Sequence, residues 1–119
     1  MSYPVQRWPD ASHINLHEEA IMYARLTTFR VKPDKMDEMR RWREANEAAI
    51  YAQPGLRHWT GLADDQGEVL VLALFDDERA AREALPHASA LWKQMAPMLE
   101  GEPSARFLDV IAAETIAAQ

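Results

Sequence analysis

The chain has 119 residues, no cysteine and a formal net charge of −6, from 13 basic and 19 acidic side chains. Its length predicts one domain, and the lack of cysteine excludes iron–sulfur clusters, thiolate zinc sites, disulfide bonds and a cysteine nucleophile. The acidic balance argues against nucleic-acid binding, because phosphate groups are bound by cationic surfaces. No apolar run reaches the roughly 20 residues that cross a bilayer, and the start of the chain lacks a signal-peptide pattern. We therefore expect a soluble cytoplasmic protein that does not bind membranes.

The first half of the chain predicts an arm, a strand and a helix. Residues 1–20 contain two prolines and little periodicity, which is typical of an N-terminal arm outside the core. Residues 21–31 are rich in β-branched and aromatic side chains and predict the first strand. One long helix is then expected to about Ala52, because apolar residues recur at three- and four-residue spacing. Pro54 and Gly55 end this helix.

The second half predicts a hairpin, a broken helix and a last strand. The hairpin joins Leu56–Ala63 to Glu68–Phe75, and its second strand is apolar on both faces, as in strands covered on both sides. Asp76 or Asp77 begins the helix, and Pro86 interrupts it. A further helical stretch is expected up to Gly101, and the fourth strand is expected at 104–113.

This β-α-β-β-α-β order predicts an α+β domain of the ferredoxin-like class over residues 21–113, with 114–119 as a short tail. Its four-stranded antiparallel sheet would carry both helices on one face. The other face would expose the apolar residues of the third strand, so we expect a homodimer in which two sheets pack face to face.

The sequence supports neither an RNA-binding surface nor a metal site. RNA-recognition domains share this element order, but they stack bases on aromatic residues and carry basic residues on their central strands. Glu68–Phe75 is aliphatic and has no basic residue, so RNA binding is rejected. His13 and His17 have the spacing of two ligands on one helix face, but a supported third ligand is missing. We therefore predict no metal site.

Four segments resemble one known family. They are YARLTTFRVKPDKMDEM at 23–39, QPGLRHWTG at 53–61, VLALFDDERA at 71–80, and the run 97–110. Together they resemble antibiotic biosynthesis monooxygenase domains over residues 21–113, although Phe75 stands where the family often has Trp. The resemblance implies a dimeric α/β barrel with a ligand pocket between sheet and helices. Such proteins include cofactor-free oxygenases of polyketide and quinol substrates, and haem-degrading enzymes.

The haem-degrading members of this family pair an Asn on the first strand with a Trp and a His on the second helix. This chain has Thr27 and Thr28 at the expected place of the Asn, and Leu85 with Gln94 or Met95 at the place of the Trp and His. The axial ligand is missing there. We therefore expect that the protein uses no haem and no other cofactor.

Cofactor-free oxygenation requires a base that removes a proton from an acidic, electron-rich substrate. His58 is the candidate catalytic base, because imidazole titrates near neutral pH. Its neighbour Trp59 faces the opposite side of the strand. The alternative is that His58 is a strand residue with a satisfied hydrogen bond at a surface or interface.

Aromatic side chains are the candidate substrate-binding residues. Trp42, Trp59 and Trp92 are predicted to line the pocket, with the hydroxyl groups of Tyr51 and Tyr23 as donors to a substrate oxygen. The alternative for each is packing in the core, because tryptophan at helical spacing is most often buried there.

Arg25 is predicted to hold an anionic group of the substrate, together with Arg106 on the neighbouring strand. The alternative is an ion pair of these arginines with Asp109. His87 follows the helix break and is a candidate at the pocket edge, with an exposed loop histidine as its alternative.

Three functions remain open from the sequence. The first is a cofactor-independent monooxygenase of a small aromatic, phenolic or quinol-like metabolite. The second is a non-catalytic dimer that binds or senses a small molecule, and the third is an isomerase- or cyclase-like relative.

Overall fold

The structure, a computed structural model, describes residues 5–7 and 22–116. Its elements alternate between strands and helices. In chain order they are β1 (Val5–Arg7), β2 (Tyr23–Val31), α1 (Met36–Ala45), α2 (Glu47–Tyr51), β3 (Leu56–Ala63), β4 (Glu68–Phe75), α3 (Glu78–Glu83), α4 (Leu85–Met95), a 3₁₀ turn (Ala96–Met98), β5 (Leu99–Asp109) and β6 (Glu114–Ile116). None of the helices in these ranges has the length and hydropathy of a membrane-spanning segment.

The main sheet is four-stranded and antiparallel, in the order β3-β4-β2-β5. The helices lie on one of its faces, so the predicted ferredoxin-like α+β fold is confirmed. Residues alternate between the two faces along each strand. On β2, Arg25 and Thr27 point toward the helices, and Leu26 points to the other side, which we call the open face.

The first helix is shorter than the sequence predicts. The single helix expected to Ala52 is wrong, because the chain breaks at Asn46 between α1 and α2. The side-chain amide of Asn46 donates to the carbonyl oxygen of Trp42 at 2.9 Å. A short polar side chain that bonds to the backbone in this way competes with the helical hydrogen bonds.

The predicted break in the second helix is confirmed. Asp77 caps α3 by accepting a hydrogen bond from the backbone N–H of Ala80 at 2.8 Å. Pro86 then lies in the first turn of α4, where its missing N–H costs no hydrogen bond. The expected helical stretch to Gly101 is wrong, since α4 ends at Met95 and β5 already begins at Leu99. The last strand therefore both begins and ends earlier than the predicted 104–113, since β5 ends at Asp109.

The two faces of β4 have different covers. Val69, Ala73 and Phe75 are buried toward the helices. Leu74 is buried on the open face with Met22 and Ala24, where the residues that follow β5 fold back, and the N–H of Val110 donates to the carbonyl of Met22. Leu70 and Leu72 are only half-buried on that face.

The ends of the described chain form a separate two-stranded sheet. β1 pairs with β6 in antiparallel register, with Val5 opposite Ile116 and Arg7 opposite Glu114. This pairing is not predicted by the sequence, in which both segments were expected to lie outside the core. His13 and His17 lie outside the described residues.

Candidate functional site

A cavity of about 480 Å³ lies between the helix-covered face of the sheet and helices α1, α2 and α4. Its volume is within the range of small-molecule sites, roughly 300–1,000 Å³. Most of its wall is aromatic, aliphatic or thioether. The main apolar lining residues are Phe29, Met36, Met39, Trp42, Ile50, Trp59, Val69, Val71, Leu91, Trp92 and Met95.

Three indoles form the aromatic part of this wall. Trp42 comes from α1, Trp59 from β3 and Trp92 from α4, and each is half-buried. Their predicted position at a pocket between sheet and helices is confirmed, and their contact with a substrate stays a prediction. Because the three elements are distant in sequence, only the folded domain brings these rings together.

Arg25 is the charged group in the cavity wall that is most deeply buried, with 3% of its surface exposed. Its guanidinium carbon lies 5.1 Å from the centre of the Phe75 ring and 5.8 Å from that of Trp92. Its Nη2 donates to Oε1 of Gln53 at 2.8 Å. Nε and Nη1 have no hydrogen-bond partner among the described residues. Burial lowers the pKa of Arg25 to about 10, so the side chain is still a cation at neutral pH.

Gln53 accepts the hydrogen bond that the Arg25 side chain makes among the described residues. Its side chain is 4% exposed, and its Nε2 donates to the carbonyl oxygen of Ile50 at 2.9 Å, just after α2. The sequence does not predict Gln53 as a site residue. The only local signal was the Pro54-Gly55 pair behind it, which predicts where the helix ends and not where the amide points.

Charged side chains of α1 stand at the solvent side of the cavity. Arg40, Arg43 and Glu44 belong to its lining, and Arg40 and Glu44 are exposed. Arg43 lies 5.9 Å from the centre of the Trp59 ring and donates to Glu47 and to the Tyr51 hydroxyl, both at 3.4 Å. With Arg25 the lining holds three arginines and one carboxylate. Arg40 and Arg43 are paired with Asp37 and Glu47, so Arg25 is the cation of the described lining that has no carboxylate partner.

His58 is not part of this cavity. It is exposed on β3 and pairs in register with Leu74, so it belongs to the open face, where its Nε2 is hydrogen-bonded to the Thr60 hydroxyl. The predicted position of His58 at the pocket wall is therefore wrong. The physical reason is strand alternation, because Trp59 takes the inward position and turns its neighbour outward.

The other predicted ligand contacts are also outside the lining. Tyr51 is 49% exposed and meets the edge of Trp59 at 6.3 Å between ring centres. Tyr23 stacks on Phe107 at 6.2 Å. His87 is exposed, with its Nε2 3.2 Å from the carbonyl oxygen of Ala49. Polar contacts with a substrate are predicted for Tyr51, Tyr23, His87 and Arg25. Of these four residues, only Arg25 lines the cavity.

The predicted partnership of two arginines is not formed. Arg25 faces the helices, whereas Arg106 pairs in register with Leu26 and therefore belongs to the open face. Neither is ion-paired with Asp109 in the described residues. That part of the chain also contains no group of three or more histidine, aspartate or glutamate side chains that could hold a metal ion.

No family model and no curated protein matches the sequence. The fold, however, is shared with many solved structures. A Nitrosomonas europaea protein of unknown function, NE2512, superposes with a TM-score of 0.70 at 20% identity and covers 84% of this chain and 99% of its own. The ActVA-Orf6 monooxygenase of Streptomyces coelicolor, solved with nanaomycin D, gives a TM-score of 0.65 at 21% identity over 84% of this chain and 96% of its own.

A third structure is SnoaB of Streptomyces nogalater, which is named a cofactor-independent oxygenase. It gives a TM-score of 0.58 at 21% identity and covers 79% of this chain and 97% of its own. Further matches, at between 14% and 21% identity, are named as candidate antibiotic biosynthesis monooxygenases. The resemblance seen in the sequence is thereby confirmed at the level of the fold. This chain has the fold of the solved antibiotic biosynthesis monooxygenases.

Proposed function

We propose that the protein is a cofactor-independent monooxygenase of a small phenolic or quinol-like aromatic compound. The observation that carries this proposal is the cavity itself, in which three indoles and a buried arginine enclose a space of small-molecule size. Flat aromatic rings suit such a wall, and a cation favours the ionised, electron-rich form of a phenol. The name of SnoaB adds support for the same class of reaction on this fold.

The reaction balances without an added reductant. A phenol with a free para position loses its hydroxyl proton to solvent, and the para carbon of the anion then forms a bond to dioxygen. The resulting peroxide anion takes up a proton from solvent. Loss of water, which includes the hydrogen of the para carbon, then breaks the O–O bond and leaves a quinone. One oxygen atom enters the product and the other leaves as water, and the ring supplies the electrons. The residues of the chain bind the ring, exclude water and stabilise the anion.

Oxygen uptake tests the proposal. With 1-naphthol as the probe, we expect oxygen consumption and formation of 1,4-naphthoquinone in a one-to-one ratio. Trp92→Leu removes an indole from the wall and should lower the rate about ten-fold or more, the size of effect expected when a bound substrate is misplaced. Arg79→Gln, an exposed change on α3 outside the cavity, is the control.

The absence of uptake above the buffer rate, with both 1-naphthol and 1,5-dihydroxynaphthalene, would overturn the oxygenase proposal. The same assay on His58→Gln tests the base predicted from the sequence. Since His58 lies on the open face, we expect its rate to be unchanged.

A non-catalytic binding protein is the second candidate, and one observation favours it. Among the described residues, the cavity lining contains no histidine, and its one carboxylate, Glu44, is exposed at the solvent side. A binding or sensor protein needs no base, whereas an isomerase or cyclase does. This candidate predicts that 1-naphthol raises the melting temperature without consuming oxygen.

We also propose that two copies form a homodimer through the open face. This face presents half-buried leucines on the two central strands, Leu26 on β2 and Leu70 and Leu72 on β4. No helix of the described chain covers these three side chains. A second copy offers the same apolar surface, which is the condition for a two-fold interface.

A further inference from the structure

Arg25 has two buried donors for which the described residues supply no acceptor. We propose that the ligand of this cavity supplies an anionic oxygen, as a phenolate or a carboxylate, that binds the guanidinium of Arg25. The inference rests on the proposed use of the cavity as a ligand site. It does not require that the bound ligand is oxidised.

The buried charge of Arg25 is costly. An arginine that is 3% exposed has lost nearly all of its hydration, and a buried cation is normally compensated by a carboxylate. Here the hydrogen-bond acceptor is the neutral amide oxygen of Gln53. The rings of Phe75 and Trp92 add attraction to a cation but accept no N–H bond of ordinary strength. The charge that would balance Arg25 is therefore absent from the described protein.

The guanidinium of Arg25 is held in place without a ligand. Nη2 is fixed by Gln53, which is itself fixed by its bond to the Ile50 carbonyl, and the two aromatic rings flank the group. A donor that is already oriented loses little entropy when it binds an anion. This arrangement is typical of a binding group and is costly for a group that only fills space.

The charges at the entrance to the cavity are largely balanced. Arg40 is paired with Asp37 at 3.3 Å and Arg43 with Glu47 at 3.4 Å, and Glu44 is a further carboxylate in the lining. Among the described lining residues, the cation without a carboxylate partner is therefore Arg25. The expected preference for an anion rests on this one guanidinium.

A matched pair of probes tests the charge requirement. Under anaerobic conditions, 1-naphthoate and its uncharged relative 1-naphthamide are titrated while quenching of tryptophan fluorescence is followed. We expect 1-naphthoate to bind at least ten-fold more tightly, the ratio typical of one charge-assisted hydrogen bond. Equal dissociation constants for the two probes would overturn the proposal, and this comparison requires no variant.

Variants then assign the preference to Arg25. Arg25→Met should reduce the naphthoate-to-naphthamide ratio to about one, whereas Arg79→Met, the same change on the exposed face of α3, should leave it unchanged. Arg25→Lys keeps a positive charge and should retain part of the preference, which also serves if the Met variant does not fold. A full preference in a folded Arg25→Met protein would contradict the assignment.

A third probe distinguishes the two sources of the anionic oxygen. The absorption spectrum of 1-naphthol changes when its hydroxyl ionises, and a phenolate partner for Arg25 predicts that the bound probe ionises at least ten-fold more readily than the free probe. A spectral shift with 1-naphthol identifies a phenolate ligand. A naphthoate preference without that shift identifies a carboxylate ligand.

The outcomes also separate this inference from the oxygenase proposal. Arg25-dependent binding of 1-naphthoate without oxygen consumption would leave the inference in place and remove the oxygenase. Equal oxygen consumption by the wild-type and Arg25→Met proteins on 1-naphthol would contradict the inference about Arg25 and leave the oxygenase proposal in place.

Discussion

Arg25 and Gln53 illustrate how a residue proposed to bind a ligand can weaken the protein that carries it. Burial lowers the pKa of Arg25, which means that the folded state holds the proton less tightly than the unfolded state. The unfavourable contribution of this charge is therefore fully present at neutral pH, and it is relieved only as the pH rises above about 10. Gln53 reduces it by one hydrogen bond.

A double-mutant cycle measures this coupling. Gln53→Leu should destabilise the domain by about 1–3 kcal/mol, because it leaves a third buried donor of Arg25 unpaired. In the Arg25→Met background the same change should cost less, since there only the bond to the Ile50 carbonyl is lost. Urea unfolding of the four proteins gives the interaction energy. If the losses in unfolding free energy of the two single variants add up to that of the double variant within about 0.5 kcal/mol, Arg25 and Gln53 are not coupled.

The sequence identifies some of these residues and misses others for a physical reason. Strand alternation correctly separates His58 from Trp59, but it does not say which of the two faces the helices. The sequence does not identify Gln53, because its role depends on Arg25, which lies 28 positions away. Arg25 itself was predicted as an anion-binding residue, but the absence of an acidic partner could be seen only after folding.

At the scale of elements, the sequence predicts strands and turns well and helix ends poorly. The four main strands and the hairpin reversal are confirmed because their apolar runs and glycines are local signals. The break at Asn46 accompanies a side-chain hydrogen bond to the helix backbone. The early start of β5 depends on its pairing with β2, in which Leu99 lies opposite Val31. The faces of β4 stay ambiguous in the sequence, since both are apolar. In the structure, Val71 lines the cavity and Leu72 belongs to the open face.

The junction between α2 and β3 depends on close packing against α3. Gly55 has a φ of +77°, and a Cβ added there would lie 2.6 Å from the Cβ of Ala80. Gly101 has a similar φ of +78°, but an added Cβ would meet no atom within 4 Å. The two positions therefore share the cost of a left-handed backbone and differ in the space available to a side chain.

Alanine substitutions at the two glycines should separate these effects. Both variants should lose about 1 kcal/mol through the left-handed backbone. Gly55→Ala should lose about a further 1–3 kcal/mol, because α3 must shift away from the new methyl group. Urea midpoints of the two variants give the difference. If Gly101→Ala were as destabilising as Gly55→Ala, the contact with Ala80 would not be the cause.

At the scale of the whole molecule, we propose separate roles for the two sides of the sheet. The helix-covered side holds the cavity, and the open face holds the leucines proposed to meet a second copy. β4 contributes to both sides, since its consecutive residues Val71 and Leu72 point in opposite directions. A shift of one position along this strand thus decides whether a substitution reaches the cavity or the proposed interface.

Aspartate substitutions at these two neighbours test that division. We expect the wild-type protein to sediment as a species of twice the chain mass of 13.6 kDa at micromolar concentration. Leu72→Asp places a charge on the open face and should shift this species toward the monomer, because an unpaired carboxylate is costly to bury between two apolar sheets. Val71→Asp places its charge in the cavity wall and should weaken binding of 1-naphthoate by like-charge repulsion, while the mass stays that of the dimer. Leu70→Asp, half-buried on the open face, repeats the first test at a second position. A folded wild-type monomer, or equal dissociation caused by Val71→Asp and Leu72→Asp, would contradict an interface on the open face.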